Sequence, residues 1–157
     1  TARPARQMGL NPDFVGRTYP PSGSYVVGRE KIREFAAAIG EDAPVCHDVA
    51  AARDAGYADL VAPPTFSFII TFRADLQVVA DPELGLDFTR VVHGEQSFAF
   101  TRPIVAGDEL VVTSTIESIR TMAGNDMMTT RSDVATVDGE HVVAVRSMLV
   151  ARGSTEA

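Results

Sequence analysis

Two residues of a short polar segment, Asp42 and His47, have side chains suited to acid–base chemistry and lie five positions apart. A carboxylate and an imidazole held beside one substrate can remove a proton from carbon and protonate a leaving hydroxyl group. A structural role is the alternative, because acidic residues ahead of a helix commonly cap it or stay solvated. We therefore take Asp42 and His47 as the candidate catalytic pair and weigh them against that alternative.

Cys46 and His93 are the other reactive side chains considered. Cys46 has only its neighbour His47 as a base, and adjacent residues rarely point at each other, so a small buried hydrophobe is the better interpretation. His93 begins a predicted strand and is followed two positions later by Glu95, so both can share one sheet face. They form either a second acid–base pair or a packing and hydrogen-bonding site near the mouth of a tunnel.

Neither a metal nor a cofactor is expected. The three histidines, at positions 47, 93 and 141, are too scattered for metal-ligand spacing. The sequence also contains neither a phosphate-binding loop nor a glycine-rich dinucleotide fingerprint. Any chemistry in this chain is therefore expected to come from its own side chains.

Composition restricts the class of protein. The chain has 157 residues, the size of one domain, and a formal net charge of −7, which disfavours nucleic acid as a partner. Its single cysteine excludes an intrachain disulfide and fits a reducing cytoplasm. The polar N-terminus lacks a signal-peptide pattern, and no apolar run approaches the ~18 residues of a membrane span.

Three helices are predicted in the first half of the chain. An amphipathic helix over residues 29–39 ends at Gly40. Asp48 caps a short helix through Ala55. The third helix, from Thr65 to Val79, is apolar on most sides, which predicts that other elements wrap it. The apolar face of the first helix comprises Ile32, Phe35, Ala36 and Ile39.

The second half supplies the wrapping. Four strand-like segments follow, at roughly 90–100, 109–120, 126–137 and 141–151. Asp138-Gly139 is a strong hairpin signal, and Gly124-Asn125 marks the turn before it. An antiparallel sheet curled around one long helix is the hot-dog arrangement, so we predict a single α+β hot-dog domain.

The predicted domain spans residues 14–152. Residues 1–13 are expected to be a flexible leading segment or a cloning remnant, with Met8 as the original start. Residues 153–157 form a tail.

Four segments distributed over most of the domain carry a resemblance to a known family. They are Val27–Phe35, Val61–Phe66, Val92–Gln96 and Arg102–Asp108, and they are specific only jointly. Together they resemble the MaoC-like N-terminal dehydratase family, in particular the HadA-type (3R)-hydroxyacyl-ACP dehydratase subunits and their uncharacterised actinobacterial relatives. The resemblance implies a hot-dog fold, an acyl thioester of CoA or acyl carrier protein as the substrate, and pairing of two hot-dog domains.

The resemblance also implies a division of labour. In HadA-type systems the partner is a second, catalytic MaoC subunit, and the HadA-type subunit mainly shapes the acyl-chain channel. We therefore expect either a homodimer or a heterodimer with a catalytic MaoC-type subunit. We predict Pro64, Phe66, Phe68 and Gly94 as the substrate-binding residues.

The chain departs from the family's catalytic motif, Gly-Asp-x-Asn-Pro-Leu-His. Aligned on Pro44, Glu41 and Cys46 occupy the positions of the catalytic aspartate and histidine. Asp42 and His47 keep the family spacing but stand one residue later, which rotates a side chain by roughly 100° at a helix entry. We favour the proline alignment, because proline fixes the local backbone, and it implies a degenerate site with Glu41 as a remaining carboxylate.

Three functional hypotheses follow. The favoured one is a mainly acyl-binding subunit of an (R)-specific 3-hydroxyacyl thioester dehydratase or enoyl hydratase in fatty-acid or polyketide-type metabolism. The second is a self-sufficient homodimeric enoyl-CoA hydratase that uses Asp42 and His47, or His93. The third is a non-catalytic acyl-thioester binding module. A thioesterase is a weaker option, because the only carboxylate in the long third helix, Asp75, is better interpreted as a charge at an exposed helix end.

Overall fold

A computed structural model describes residues 9–153 of the chain. Residues 1–8 and 154–157, which include the proposed start at Met8 and most of the predicted tail, lie outside the described residues. The helices are α1 (Arg29–Ile39), α2 (Val49–Asp54) and α3 (Ser67–Val79), and the strands are β1 (Tyr25–Val26), β2 (Val91–Phe100), β3 (Glu109–Met122), β4 (Asn125–Thr136) and β5 (His141–Ala151).

The five strands form one antiparallel sheet in the order β1-β3-β4-β5-β2. Helix α3 packs against β3, β4 and β5 on the concave face. A curled antiparallel sheet around one central helix is the hot-dog arrangement, so the predicted α+β fold is confirmed. The strands β1 and β2 are left at the two edges of the sheet.

Side chains alternate along β3 as the sequence predicts. Leu110, Val112 and Ile116 point inward and are 0% exposed, while Thr113 and Thr115 lie on the outer face. Successive residues of a strand point to opposite faces, so an apolar residue at every second position marks the buried face. A β-bulge between residues 116 and 118 then shifts the register.

Both predicted turns are present. Gly139 has a φ of 95° in the β4–β5 turn, and Gly124 has a φ of 76° in the β3–β4 turn. Ala123, beside Gly124, also has a positive φ of 50°. The β3–β4 turn is a two-residue hairpin in which Ala123 and Gly124 are both left-handed. The β4–β5 turn is longer than the predicted two residues: Thr136 and Glu140 pair across it, and of the residues between them Gly139 alone is left-handed.

The loop that carries the candidate acid–base residues is held between α1 and α2. Helix α1 ends at Gly40, which adopts the left-handed conformation with a φ of 74°. Helix α2 begins after Asp48, whose carboxylate accepts a 2.8 Å hydrogen bond from the Ala50 amide. Ile39 departs from the predicted apolar face: it is 51% exposed, because it stands in the last turn of α1, beyond the core.

The prediction that α3 is buried on nearly all sides is wrong. Ile70, Ala74 and Val78 face the sheet and are at most 3% exposed, but Phe72 and Leu76 are 45% and 46% exposed. The sheet of one chain covers only one side of its helix. The remaining apolar side chains of α3 therefore form an outer stripe that this chain does not cover.

The chain ahead of β1 lies across the sheet rather than away from it. Leu10 and Phe14 are 7% and 5% exposed, and both belong to the core. The Leu10 amide donates a 2.8 Å hydrogen bond to the buried carboxylate of Asp126 on β4. These contacts fix the segment to one end of the sheet.

The core is divided into two apolar clusters by a row of polar side chains. Along β3, inward-facing Val112 and Ile116 belong to different clusters, and Ser114 stands between them. Along β5, Val145 and Leu149 are likewise separated by Ser147. We call this row the polar belt; it comprises Gln96, Ser114, Thr130, Ser132 and Ser147 from the sheet and Asp75 from α3.

Candidate functional site

His47 is held at the end of the Pro44–Cys46 3₁₀ turn by contacts with backbone carbonyl groups. Its Nε2 atom lies 2.7 Å from the Glu41 carbonyl oxygen, and Arg33 Nε donates a 2.9 Å hydrogen bond to the His47 carbonyl. A carbonyl oxygen only accepts, so the bonded Nε2 atom carries a proton. In the neutral ring this leaves the Nδ1 lone pair available to accept a proton.

The structure places the other predicted residues of this loop nearby but does not pair them with His47. The Asp42 side chain is exposed and makes no hydrogen bond within residues 9–153. Glu41 uses Oε1 to accept a 2.9 Å hydrogen bond from the Ala43 amide. Cys46 is 4% exposed, and burial, with a smaller contribution from the charge of Glu41, raises the pKa of its thiol. An acid–base dyad is therefore not assembled by hydrogen bonding in the single chain.

His93 lies at a β-bulge on the edge strand β2, between residues 93 and 95. Its Nε2 atom is 3.0 Å from the backbone oxygen of Glu95, so this imidazole bonds the main chain and not the Glu95 carboxylate. The His93 ring also lies 5.9 Å, centroid to centroid, from that of Phe68. At Gly94 a Cβ atom would come within 2.6 Å of Met148 Cε, which explains the absence of a side chain there.

The predicted substrate-binding residues on the approach to α3 occupy different environments. Pro64 begins the 3₁₀ turn Pro64–Phe66 and is exposed. Phe66 is 0% exposed and contacts Phe35 edge to face, with the ring centroids 5.5 Å apart. Phe68 instead turns toward a cavity, with its ring 5.5 Å from that of Phe72.

That cavity is a partly open, mainly apolar pocket of about 180 Å³ between α3 and the sheet. Its walls come from α3, from the start of β2 and the segment leading into it, and from the inner faces of β4 and β5. Pockets for apolar ligands combine such walls with a few polar groups that fix orientation. His93 lines this pocket, whereas Glu41, Asp42, Cys46 and His47 do not. The lining residues are Phe68, Phe72, Asp75, Leu76, Val79, Phe88, Val91, His93, Thr130, Ser147 and Leu149.

Asp75 is the one carboxyl group in the pocket wall, which corrects the prediction of a charge at an exposed helix end. Its Oδ1 atom accepts hydrogen bonds from Ser114 Oγ (2.8 Å) and Ser132 Oγ (2.6 Å). Burial raises the pKa of this carboxyl, and the two serine hydroxyls, which stabilise the charged form, lower it by less. A carboxyl group whose pKa is perturbed and that lies in a pocket is typical of functional sites.

Sequence reasoning missed the pocket, although part of its signal was available. The strand pattern that places Val112 and Ile116 inward also places Ser114 inward. The same alternation places Thr130 and Ser147 on the inner faces of β4 and β5. A serine or threonine at the centre of each buried strand face predicts buried polar partners. Asp75 is the partner of Ser114 and Ser132, and Gln96 is the partner of Ser147.

A family model described as the FAS1-like, dehydratase domain region matches residues 13–145. The chain belongs to this family of FAS1-like dehydratase domains. A UPF0336 protein of Streptomyces avermitilis is 60% identical over 149 residues, which cover 95% of this chain and 99% of that protein. The resemblance to MaoC-like dehydratases that the sequence predicts is confirmed.

Two solved structures related to this dehydratase domain agree with its fold. One is the C-terminally truncated HadBC (3R-hydroxyacyl-ACP dehydratase) complex of Mycobacterium tuberculosis, with a TM-score of 0.80, 35% identity, and coverage of 88% of this chain and 97% of that chain. The other is a MaoC-like dehydratase with a TM-score of 0.82 and 34% identity, for which the match covers 88% of this chain and 42% of that one.

Two further observations concern residues 9–153. No group of three or more histidine, cysteine, aspartate or glutamate side chains in this range is arranged to hold a metal ion. The helices in the same range are all too short or too polar to cross a membrane.

Proposed function

We propose that this chain is a subunit of an (R)-specific 3-hydroxyacyl thioester dehydratase or enoyl hydratase, and that its main role is to bind the acyl chain. The observation that carries the proposal is the apolar pocket beside α3, to whose lining the Asp42–His47 loop contributes no residue. Family membership supports the reaction class. We place the protein in the fatty-acid or polyketide-type metabolism of the cytoplasm.

The reaction requires a base at the α-carbon of the acyl group and an acid at the hydroxyl group of the β-carbon. The base removes a proton from the carbon next to the thioester, and the acid protonates the hydroxyl on the following carbon, which leaves as water. The product is a trans-2-enoyl thioester, and hydration is the reverse. In this chain Phe68 and Phe72 would pack against the acyl group and exclude water from it, while the partner supplies the acid–base pair.

Two unpaired surfaces support a partner subunit. The strand β2 has ten residues and pairs, within the described residues, only with β5, so its other edge is open. Native proteins cover or disrupt such edges because they readily pair with further strands. Val92 on this edge is 40% exposed, and Phe72 of the outer stripe of α3 is 45% exposed. We propose a catalytic MaoC-type subunit at this edge, with a second copy of this chain as the alternative.

A self-sufficient hydratase is the second candidate, and the tautomer of His47 favours it. With Nε2 bonded to the Glu41 carbonyl, the Nδ1 atom of a neutral His47 is free to act as a base. Asp42 is exposed and is free to turn toward a substrate. In this alternative two copies of the chain form a homodimer that needs no other subunit. A non-catalytic acyl-thioester binding module remains the third candidate, and the pocket alone favours it.

The deciding experiment is the hydration of trans-2-octenoyl-CoA, followed by the loss of absorbance of the conjugated enoyl thioester. It is run with this protein alone and then with a catalytic MaoC-type subunit from the same source. Turnover only in the mixture, or a changed preference for acyl-chain length there, supports the acyl-binding role. Strong turnover by this protein alone supports the homodimeric hydratase. Binding of the thioester without turnover in either sample supports the binding module.

A further inference from the structure

The pocket proposed to hold the acyl chain has a polar patch in its wall. Asp75, Thr130 and Ser147, all members of the polar belt, line it together. Both serine hydroxyls that reach Asp75 donate to Oδ1, and Oδ2 accepts no hydrogen bond within residues 9–153. Oδ2 is therefore the carboxyl oxygen left to bond an occupant of the pocket.

A second group of the belt also lacks a partner. Ser147 Oγ donates a 2.8 Å hydrogen bond to Gln96 Oε1. The amide nitrogen of the same glutamine, Nε2, is buried and has no hydrogen-bond partner. Buried polar atoms are nearly always paired in folded proteins, so this unpaired amide nitrogen is unusual. Gln96 does not line the pocket, so Asp75 Oδ2 is the atom of the belt on which the recognition of an occupant depends.

A hydrocarbon chain is a poor match for this wall. A methylene group placed against Asp75 Oδ2 would displace water and leave that oxygen unpaired, which weakens binding by about tenfold or more. A hydroxyl group on the occupant can accept a hydrogen bond from a neutral carboxyl group or donate one to a carboxylate. A hydroxyl therefore satisfies Asp75 in either protonation state, whereas a ketone or an ether satisfies only the neutral form.

The volume of the pocket limits the size of the group. At about 180 Å³ the pocket is slightly larger than the ~150 Å³ engineered cavity that accommodates benzene. It therefore accommodates about six to eight non-hydrogen atoms. Apart from His93, its other walls are aromatic and aliphatic, so the group is a short or medium-length aliphatic chain rather than a sugar or a charged headgroup.

We propose that this pocket selects acyl groups that carry a hydroxyl at the position facing Asp75 over acyl groups that are hydrocarbon throughout. Asp75 is then a residue that determines substrate specificity. This inference rests on the proposed function, because it takes the occupant of the pocket to be the acyl chain of a thioester.

The test compares octanoyl-CoA with 6-, 7- and 8-hydroxyoctanoyl-CoA by isothermal titration calorimetry. The protein is used alone and in complex with its catalytic subunit. We expect one hydroxylated ligand to bind about tenfold more tightly than octanoyl-CoA. Asp75→Leu should abolish that advantage, and Asp75→Asn, which keeps a polar group, should retain part of it. Gln77→Leu is the matched control, because Gln77 lies on the same helix but does not line this pocket.

The outcomes separate this inference from the proposed function. Octanoyl-CoA bound as tightly as every hydroxylated ligand would overturn the selection by Asp75 and leave the acyl-binding role intact. A hydroxyl advantage that survives in a folded Asp75→Leu protein would also overturn it. If no acyl-CoA binds, alone or in the complex, the proposed function fails and this inference fails with it. If Asp75→Leu does not fold, the inference is still tested by the affinities of the wild-type protein and of Asp75→Asn for octanoyl-CoA and the hydroxylated ligands.

Discussion

Ser132 on β4 donates a 2.6 Å hydrogen bond to the carboxyl group of Asp75 on the central helix. This bond joins the helix to the sheet at the level where the two apolar clusters of the core meet. Replacing Asp75 alone by leucine would take this acceptor away from the buried hydroxyls of Ser114 and Ser132, which costs free energy. Asp75 therefore contributes both to the fold and to the wall of the pocket.

Replacing Asp75 by asparagine should make stability less dependent on pH. Burial raises the pKa of Asp75 in the folded protein. At pH values between the unfolded and the folded pKa, the native state therefore holds a proton that the unfolded state has lost. The contribution of Asp75 to the free energy of unfolding is therefore fully present below its unfolded pKa and is lost as the pH rises through its folded pKa. We expect Asp75→Asn to be similar to wild type at pH 4 and more stable than wild type at pH 8, because asparagine does not ionise. Urea unfolding at both pH values measures this, and an advantage that shrinks with rising pH would contradict it.

Adding a methyl group at position 94 should destabilise the sheet. A Cβ atom on Gly94 would lie 2.6 Å from Met148 Cε and 3.3 Å from Val150 Cγ2. Since the Met148 end is flexible, we expect Gly94→Ala to lower the free energy of unfolding by about 1–2 kcal/mol. Gly23→Ala is the control, because a Cβ there meets nothing within 4 Å. Equal urea midpoints for the two variants would show that the bulge adapts without cost.

A charge on the open edge of β2 should prevent pairing with a partner. Val92 is 40% exposed on that edge and does not line the pocket. We expect Val92→Asp to weaken dimer or complex formation at least tenfold, because a carboxylate at an apolar contact loses its water without gaining a partner. Light scattering after size-exclusion chromatography reports the assembly. Val137→Asp, in the β4–β5 turn and 48% exposed, should assemble like wild type; equal weakening by both would place the contact elsewhere.

Substitutions in the Asp42–His47 loop distinguish a binding subunit from a self-sufficient enzyme. If the partner supplies the acid and the base, Asp42→Asn and His47→Gln should each lower kcat of the mixed complex less than about threefold. Loss of a general acid or base typically costs about 100-fold or more. A loss of that size in either variant, with thermal stability unchanged, would assign catalysis to this chain. Asp48→Asn is a suitable control, since asparagine caps a helix about as well as aspartate.

The order and bounds of the elements could be predicted because their signals are local. Glycine with a positive φ ends α1 at Gly40 and forms the turn at Gly139, and both features depend on backbone sterics that neighbouring residues do not alter. The inner face of β3 followed from simple alternation. Each of these requires only a few consecutive residues.

The exposure of α3 and the environment of Asp75 could not be predicted in this way. The apolar stripe of α3 that contains Phe72 shows the same sequence pattern whether the sheet of this chain or another protein covers it. The burial of Asp75 depends on which face of α3 meets the serines of β3 and β4, which are far away in sequence. The bulge at His93 likewise arises from pairing with β5, so the orientation of that imidazole was not visible in the sequence.

The order of elements along the chain has a consequence for synthesis on the ribosome. Helix α3 is complete at Val79, but the strands that cover its inner face, β3 to β5, extend to Ala151. At roughly 5–20 residues per second, its apolar side chains wait on the order of ten seconds for the sheet. The edge strand β1 likewise stays unpaired until β3, which ends at Met122, has been made. The nascent chain thus exposes the apolar side chains of α3 to cellular chaperones while most of its second half is being translated.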